Sequence, residues 1–417
     1  MKGNDDMKKT VIVFSREYPP TIVGGTAIVA RSCAEGLNHL GYKTIVVTST
    51  NFKVPQVENR NGIIIIGIPG RTYEDHSGFD TDNLRYHKKV VTYLKNSLDE
   101  KPDIVLVPDL FSFPEAYLYS KINKIPLVNI LLQDFIKMTV YDKRSVHSVT
   151  NNANGTIEDL LRIEEKSLRC SSANVFISNA LANSIKHHYL LDDDNCHVIY
   201  LGIDPIEMKK SIDINYSSIR DKICPSNKIL LMSTGRLVPV KGFDILIKSF
   251  AHINKLRKDL FLCILGTGPE EEYLRKLIHD YQLENDVRLL YISDRAETVS
   301  YMQTCDIAVV PSLWESFCYV AAEFMAMKKP IVVSGVDSLN ELVEHDKSGL
   351  ICPVNIDGNK RIINEEEIVK ALSILLDEKE YAANLAENAY QRAHSLFTRQ
   401  NFAKNISALI EQLTVDL

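Results

Sequence analysis

The chain has no Cys-x-x-Cys pair: its eight cysteines (Cys33, Cys170, Cys196, Cys224, Cys263, Cys305, Cys318 and Cys352) are scattered. That argues against a zinc site or a disulfide framework and fits a reducing cytoplasm. No run is long and apolar enough to span a bilayer, and the N-terminal MKGNDDMKKTVIVFSREYPP holds too short an apolar run for a signal peptide. Any membrane contact is then peripheral. A basic excess is missing too, since the net charge is -6, so nothing electrostatic calls for a nucleic-acid partner. Internal repeats and low-complexity segments are absent. What remains is an ordinary globular composition, 45% hydrophobic and 24% charged, spread over 417 residues. A chain of that length outgrows a single core and is expected to form two domains.

Short β-branched runs alternate with helical patterns: TVIVFS (10–15), KTIVVTS (43–49), GIIIIGI (62–68), DIVLVP (103–108), IPLVNILL (125–132), NVFIS (174–178) and HVIYLG (197–202). Continuous apolar runs of this kind read as parallel strands buried on both faces. After Asp204-Pro205 a polar stretch offers no strand, and the rhythm restarts at ILLMSTG (229–235). LFLCILG (260–266), VRLLYI (287–292), DIAVVPS (306–312) and PIVVSG (330–335) follow, and long helical patterns close the chain. The expected fold class is α/β, with two Rossmann-like domains facing each other across a cleft where ligands of open α/β sheets bind. Residues 1–205 with 397–417 make the first domain, and residues 206–396 the second.

Several strand ends carry residues suited to a phosphorylated, hydroxylated ligand. In STGRLVPVKGFDILIKSF, Arg236 and Lys241 sit in a strand-to-helix loop, where two cations beside a helix N-terminus suit a diphosphate. Two solvated surface charges are the plainer alternative. In LGTGPEEEYLRKL, Gly266 and Gly268 permit a tight turn and close backbone approach, although Pro269 and the following carboxylates are ordinary helix-start signals. Gly24-Gly25 precede the first helix without Gly-x-Gly-x-x-Gly spacing, and the second strand ends in VVTST without an acidic residue, so a nicotinamide enzyme is not expected. In PSLWESFCYVAAEFMAMKKPIVVSG, Glu315 ends a loop and Glu323 lies in the second helical turn. There a carboxylate is favoured by the helix's positive end and can accept two hydroxyl hydrogen bonds. An exposed helical glutamate is the alternative, but Val320, Ala321, Ala322, Phe324, Met325 and Ala326 surround Glu323 with apolar neighbours, which favours a ligand role.

Taken together, PPTIVGG, VIYLGID, GRLVPVKGFD, GTGP, PSLWESFCYVAAEFMAMKKPIVVSG and NELVEHDKSGLICP resemble the retaining glycosyltransferase family 4, whose fold is the two-domain GT-B architecture. The resemblance covers nearly the whole chain. It implies that Glu315 faces the donor sugar and Glu323 holds the nucleotide ribose, while Arg236 and Lys241 bind the donor diphosphate. Backbone N–H groups of Phe317, Cys318, Tyr319 and Val320 would face phosphate and sugar, and Ile292 would contact the base. The donor is expected to be a nucleotide-diphosphate sugar, UDP-linked in the first instance, with two fixed cations in place of a metal and no other cofactor. The acceptor would be a carbohydrate, a lipid-linked or a small-molecule hydroxyl held by the N-terminal domain.

Three positions depart from the family pattern. Where the family has a histidine after IPLVNILL, this chain has Gln133 and Asp134; the first could hydrogen-bond a sugar hydroxyl and the second could serve as a base. Cys318 replaces a glycine, and Leu201 replaces an asparagine. These changes leave two alternatives open, a catalytically weak nucleotide-sugar-binding protein and a GT-B nucleotide-sugar epimerase. Lys137, Lys143 and Arg144, in the loop after Gln133, read first as solvated surface charges, with a phosphorylated or membrane-surface acceptor as the alternative.

Overall fold

A computed structural model of the chain describes residues 9–20, 25–69, 84–141, 156–204, 216–358 and 360–415. They form two compact units, one from the described residues within 1–139, 143–202 and 399–417, the other from those within 140–142 and 203–398.

The first unit begins with β1 (Thr10–Phe14), α1 (Gly25–His39), β2 (Lys43–Thr50), β3 (Gln56–Arg60) and β4 (Ile63–Pro69). Next come α2 (Leu84–Ser97), β5 (Ile104–Val107), α3 (Phe113–Asn123), β6 (Leu127–Leu131) and α4 (Phe135–Tyr141), whose last residues count with the second unit. It continues with α5 (Ile157–Cys170), β7 (Ala173–Phe176), α6 (Asn179–Tyr189) and β8 (Cys196–Val198). These eight strands form one sheet in the order β3-β4-β2-β1-β5-β6-β7-β8. Every pair is parallel except the edge pair β3 and β4. Every residue of β1, β5, β6 and β7 is buried, as strands covered by helices on both faces must be.

The second unit holds α7 (Tyr216–Ile223), β9 (Ile229–Thr234), α8 (Phe243–Leu256), β10 (Leu260–Leu265), α9 (Glu271–Asp280), β11 (Val287–Leu290) and α10 (Arg295–Met302). It continues through β12 (Ile307–Val310), α11 (Tyr319–Ala326), β13 (Ile331–Ser334), α12 (Leu339–Leu342), β14 (Leu350–Cys352), β15 (Val354–Asp357) and β16 (Lys360–Ile363). Helices α13 (Glu365–Asp377) and α14 (Lys379–Leu396) close it. Its parallel sheet runs β11-β10-β9-β12-β13-β14, and β15 and β16 form a separate antiparallel pair. That order reverses direction between β9 and β12, so loops leaving their carboxyl ends diverge around a crevice, the usual ligand position in such sheets. The core beneath is apolar, with Leu231, Phe250, Leu262, Ile264 and Val309 all but fully buried.

The last helix, α15 (Arg399–Leu413), returns to the first unit and packs on α1. Arg399 Nη1 pairs with Glu35 at 2.8 Å, and Tyr42 donates to Glu411 at 2.6 Å. Strands β3, β14, β15 and β16 were not expected. β3 is a polar, exposed edge, β14 has three residues, and the β15–β16 pair lies outside the main sheet, so none carries a long buried apolar run.

Candidate functional site

In the second unit the candidate residues gather at the β9/β12 switch point. The loop after β9 starts at Gly235 with Arg236 exposed, and a short 3-10 turn, Pro239–Lys241, leads into α8. Gly242 ends that turn at φ 65°, and a Cβ there would stand 2.2 Å from the Pro311 carbonyl oxygen. Only glycine lets this loop press against the end of β12. Leu313 N then donates to Val240 O at 2.7 Å, which locks the two strand-end loops together.

The consequence is an ion pair between residues 74 positions apart: Lys241 Nζ donates to Glu315 Oε1 at 2.6 Å. Ser312 Oγ reaches the same oxygen at 2.8 Å. Burial pulls the Lys241 pKa down, but the Glu315 carboxylate outweighs it, so the ammonium ends above its ordinary value and stays charged. Arg236 lies close enough to Lys241 to act on it electrostatically. Two cations and Glu315 therefore share one strand-end cluster.

Glu323 projects from the second turn of α11 and is 2% exposed, which removes the alternative of an exposed helical glutamate. Its Oε1 pairs with Arg295 Nη2, while Oε2 is buried with no hydrogen-bond partner among the described residues. A buried carboxylate oxygen without a donor is costly unless a ligand supplies one. Sequence reasoning missed Arg295: it opens α10, three residues beyond the half-buried Ile292, and nothing in ISDRAE marks it as a partner for a carboxylate 28 residues away.

Phe317, Cys318, Tyr319 and Val320 form the turn into α11 and its first residues, at the positive end of that helix. Phe317 is buried, edge-on to Tyr319 and to Phe397 at ring distances of 5.5 and 5.9 Å. Cys318 sits at φ 78°, the left-handed region that favours glycine. Its thiol is buried, and desolvation with the nearby Glu315 pushes its pKa far up, so it is no thiolate nucleophile. Gly266 and Gly268 have a structural cause. Their Cβ atoms would stand 1.9 Å from Gly235 O and 2.5 Å from Leu237 O, so the loop after β10 packs its backbone directly on the loop carrying Arg236.

The remaining candidates lie in the first unit. Gly25 opens α1 and is exposed, with open space where a Cβ would go; Gly24, like Lys143 and Arg144, lies outside the described residues. Gln133 is exposed and lines a cavity of about 50 Å³ with Thr26, Asp109, Phe111, Asn129 and Glu164. Asp134 corrects the expectation of a base. It is 0% exposed, Oδ1 accepts from Lys137 N at 2.8 Å, and Oδ2 accepts from Ser184 Oγ at 2.5 Å. The two bonds cap α4 and tie it to α6, and the complete burial of Asp134 keeps the carboxylate from reaching an acceptor hydroxyl. Leu201, in place of the family's asparagine, is buried at 3% exposure.

Two Rossmann-like units, each built on a largely parallel sheet, are the architecture called GT-B. Residues 217–392 match the model for glycosyl transferases group 1, and residues 23–207 match that for glycosyltransferase family 4. The chain belongs to this glycosyltransferase family. It is similar to an uncharacterised glycosyltransferase of Methanocaldococcus jannaschii, 26% identical over 94% of this chain and 96% of the relative. It is 24% identical to the alpha-monoglucosyldiacylglycerol synthase of Acholeplasma laidlawii over 95% of each chain. Anabaena HepE, solved in complex with UDP and glucose, shares the fold at a TM-score of 0.71 and 19% identity, over 97% of this chain and 100% of HepE.

Proposed function

We propose that this glycosyltransferase is a retaining, metal-independent enzyme that moves a hexose or hexosamine from a UDP-sugar to an acceptor hydroxyl. The observation that carries the donor assignment is Glu323 Oε2, buried and lacking a donor in the same unit as the Arg236, Lys241 and Glu315 cluster. A ribose hydroxyl supplies the missing hydrogen bond. Arg236, Lys241 and the α11 amides would take the diphosphate, and Glu315 would lie against the sugar.

In the reaction the bond from anomeric carbon to diphosphate oxygen breaks and the acceptor oxygen forms the new glycosidic bond. Positive charge develops on the sugar and negative charge on the leaving phosphate, which preorganised cations stabilise most in a water-poor site. Lys241, kept charged by Glu315, is suited to this without a divalent ion. As the resemblance to the retaining family implies, the leaving phosphate oxygen takes the acceptor proton during front-face attack. A lipid-linked acceptor at the membrane surface is favoured by the name of the Acholeplasma relative, a synthase of a glucosyl diacylglycerol.

The test is to incubate the protein with UDP-glucose, UDP-N-acetylglucosamine and GDP-mannose in the presence of EDTA, with diacylglycerol vesicles as acceptor. UDP release and a product whose anomeric proton coupling matches the donor's support the proposal. Isomerised donor without transfer identifies an epimerase, nucleotide binding without turnover identifies a binding protein, and loss of transfer in EDTA removes metal independence.

A further inference from the structure

Arg361 is outside the site described above, yet it is bonded to that site's loops. It lies on β16, opposite Ile356 of β15, and its side chain is 11% exposed. Nη1 donates to the Leu313 carbonyl at 2.8 Å. Nη1 and Nη2 also grip the two oxygens of Asp337 as a fork, with Nη2 to Oδ1 at 2.9 Å. Asp337, 7% exposed in its side chain, has a φ of 38°, a conformation that a non-glycine residue keeps only when its surroundings hold it. The next residue, Ser338, is fully buried, and its Oγ lies 3.1 and 3.0 Å from the carbonyl oxygens of Glu315 and Phe317. One guanidinium thus fixes the loop after β12 directly at Leu313. Through Asp337 and Ser338 it fixes the same loop again at Glu315 and Phe317.

We infer that Arg361 is a positioning residue for the donor site: it sets the backbone of residues 313–318, which presents Glu315 and leads into α11, without itself touching the donor. The inference rests on the donor-site reading above. Lysine is not a substitute, because a single ammonium keeps the charge beside Asp337 but cannot reproduce a rigid fork that also reaches a carbonyl.

The loop carries its own reporter, since Trp314 is the single tryptophan of the chain and is half-buried. In full-length Arg361→Lys, acrylamide quenching of Trp314 is expected to rise about twofold and UDP affinity, by calorimetry, to fall about tenfold with the melting temperature nearly unchanged. Lys241→Ala is measured alongside. UDP affinity that ignores Lys241 removes the donor-site reading, while Trp314 quenching still judges Arg361. Wild-type quenching in Arg361→Lys overturns the inference, and so does wild-type UDP affinity where Lys241→Ala weakens binding. Arg361 is then only an anchor for the β15–β16 pair. If Arg361→Lys melts early, Asp337→Asn with Arg361→Gln removes both charges together and is read by the same two measurements.

Discussion

Replacing Glu164 with glutamine is expected to abolish a pH dependence of stability in the first unit. Glu164 is 1% exposed; Oε1 accepts from Phe135 N at 3.3 Å and Oε2 from Tyr189 Oη at 2.5 Å. Burial raises its pKa from 4.5 to about 8, with the Asp134 charge pushing the same way and the two donors opposing. Between those values the folded protein holds a proton that the unfolded chain has released. Stability from this group is therefore fully present below pH 4.5 and is lost as pH rises through 8. Each pH unit in that window costs about 1.4 kcal/mol, so the whole span amounts to about 4–5 kcal/mol, a large share of the 5–15 kcal/mol typical of a domain. Glutamine keeps both contacts, since its oxygen can accept from Phe135 and its amide can donate to the Tyr189 oxygen. The assay is urea unfolding of wild type and Glu164→Gln from pH 5 to 8.5, read as the difference at each pH so that other titrating groups cancel. Wild type should lose stability relative to the variant as pH rises. Parallel curves would refute the buried, protonated carboxyl.

Lys241→Met leaves the Glu315 carboxylate with Ser312 as its remaining hydrogen-bond donor among those described above and is expected to cost about 2–4 kcal/mol, most of it recovered in Lys241→Met with Glu315→Gln; thermal unfolding of the cycle checks this, and additive losses would contradict it. Gly266→Ala drives a methyl into the Gly235 carbonyl oxygen and should destabilise by about 1–3 kcal/mol in urea unfolding. Gly25→Ala meets open space and should leave the melting temperature unchanged or slightly raised.

How much of this was legible in the sequence depended on whether the cause was local. β1, TVIVF, reads as a buried parallel strand because every one of its residues is covered. The hairpin of β15 and β16 was missed although the sequence Gly358-Asn359 is a hairpin signal, because its residues are largely exposed and lack a buried run. Burial of Glu323 was readable from its apolar neighbours. Its partner Arg295 was not, nor was the Lys241–Glu315 pair, since tertiary packing alone brings them together. Asp134 shows a different failure: an aspartate before a helix looks the same in sequence as a cap or as a base, and the observed bonds to Lys137 N and Ser184 decide for the cap.

The central claim is a nucleotide-diphosphate site built on Glu323 and Lys241. Its most direct test is the melting temperature of wild type, Glu323→Ala and Lys241→Ala with and without UDP, GDP and ADP. A ligand that binds only the folded state adds about 2.7 kcal/mol at a hundredfold excess over its Kd. The account predicts that UDP raises the wild-type melting temperature and raises neither variant's to the same extent. Equal stabilisation of all three proteins, or none of the wild type by any nucleotide, would contradict it.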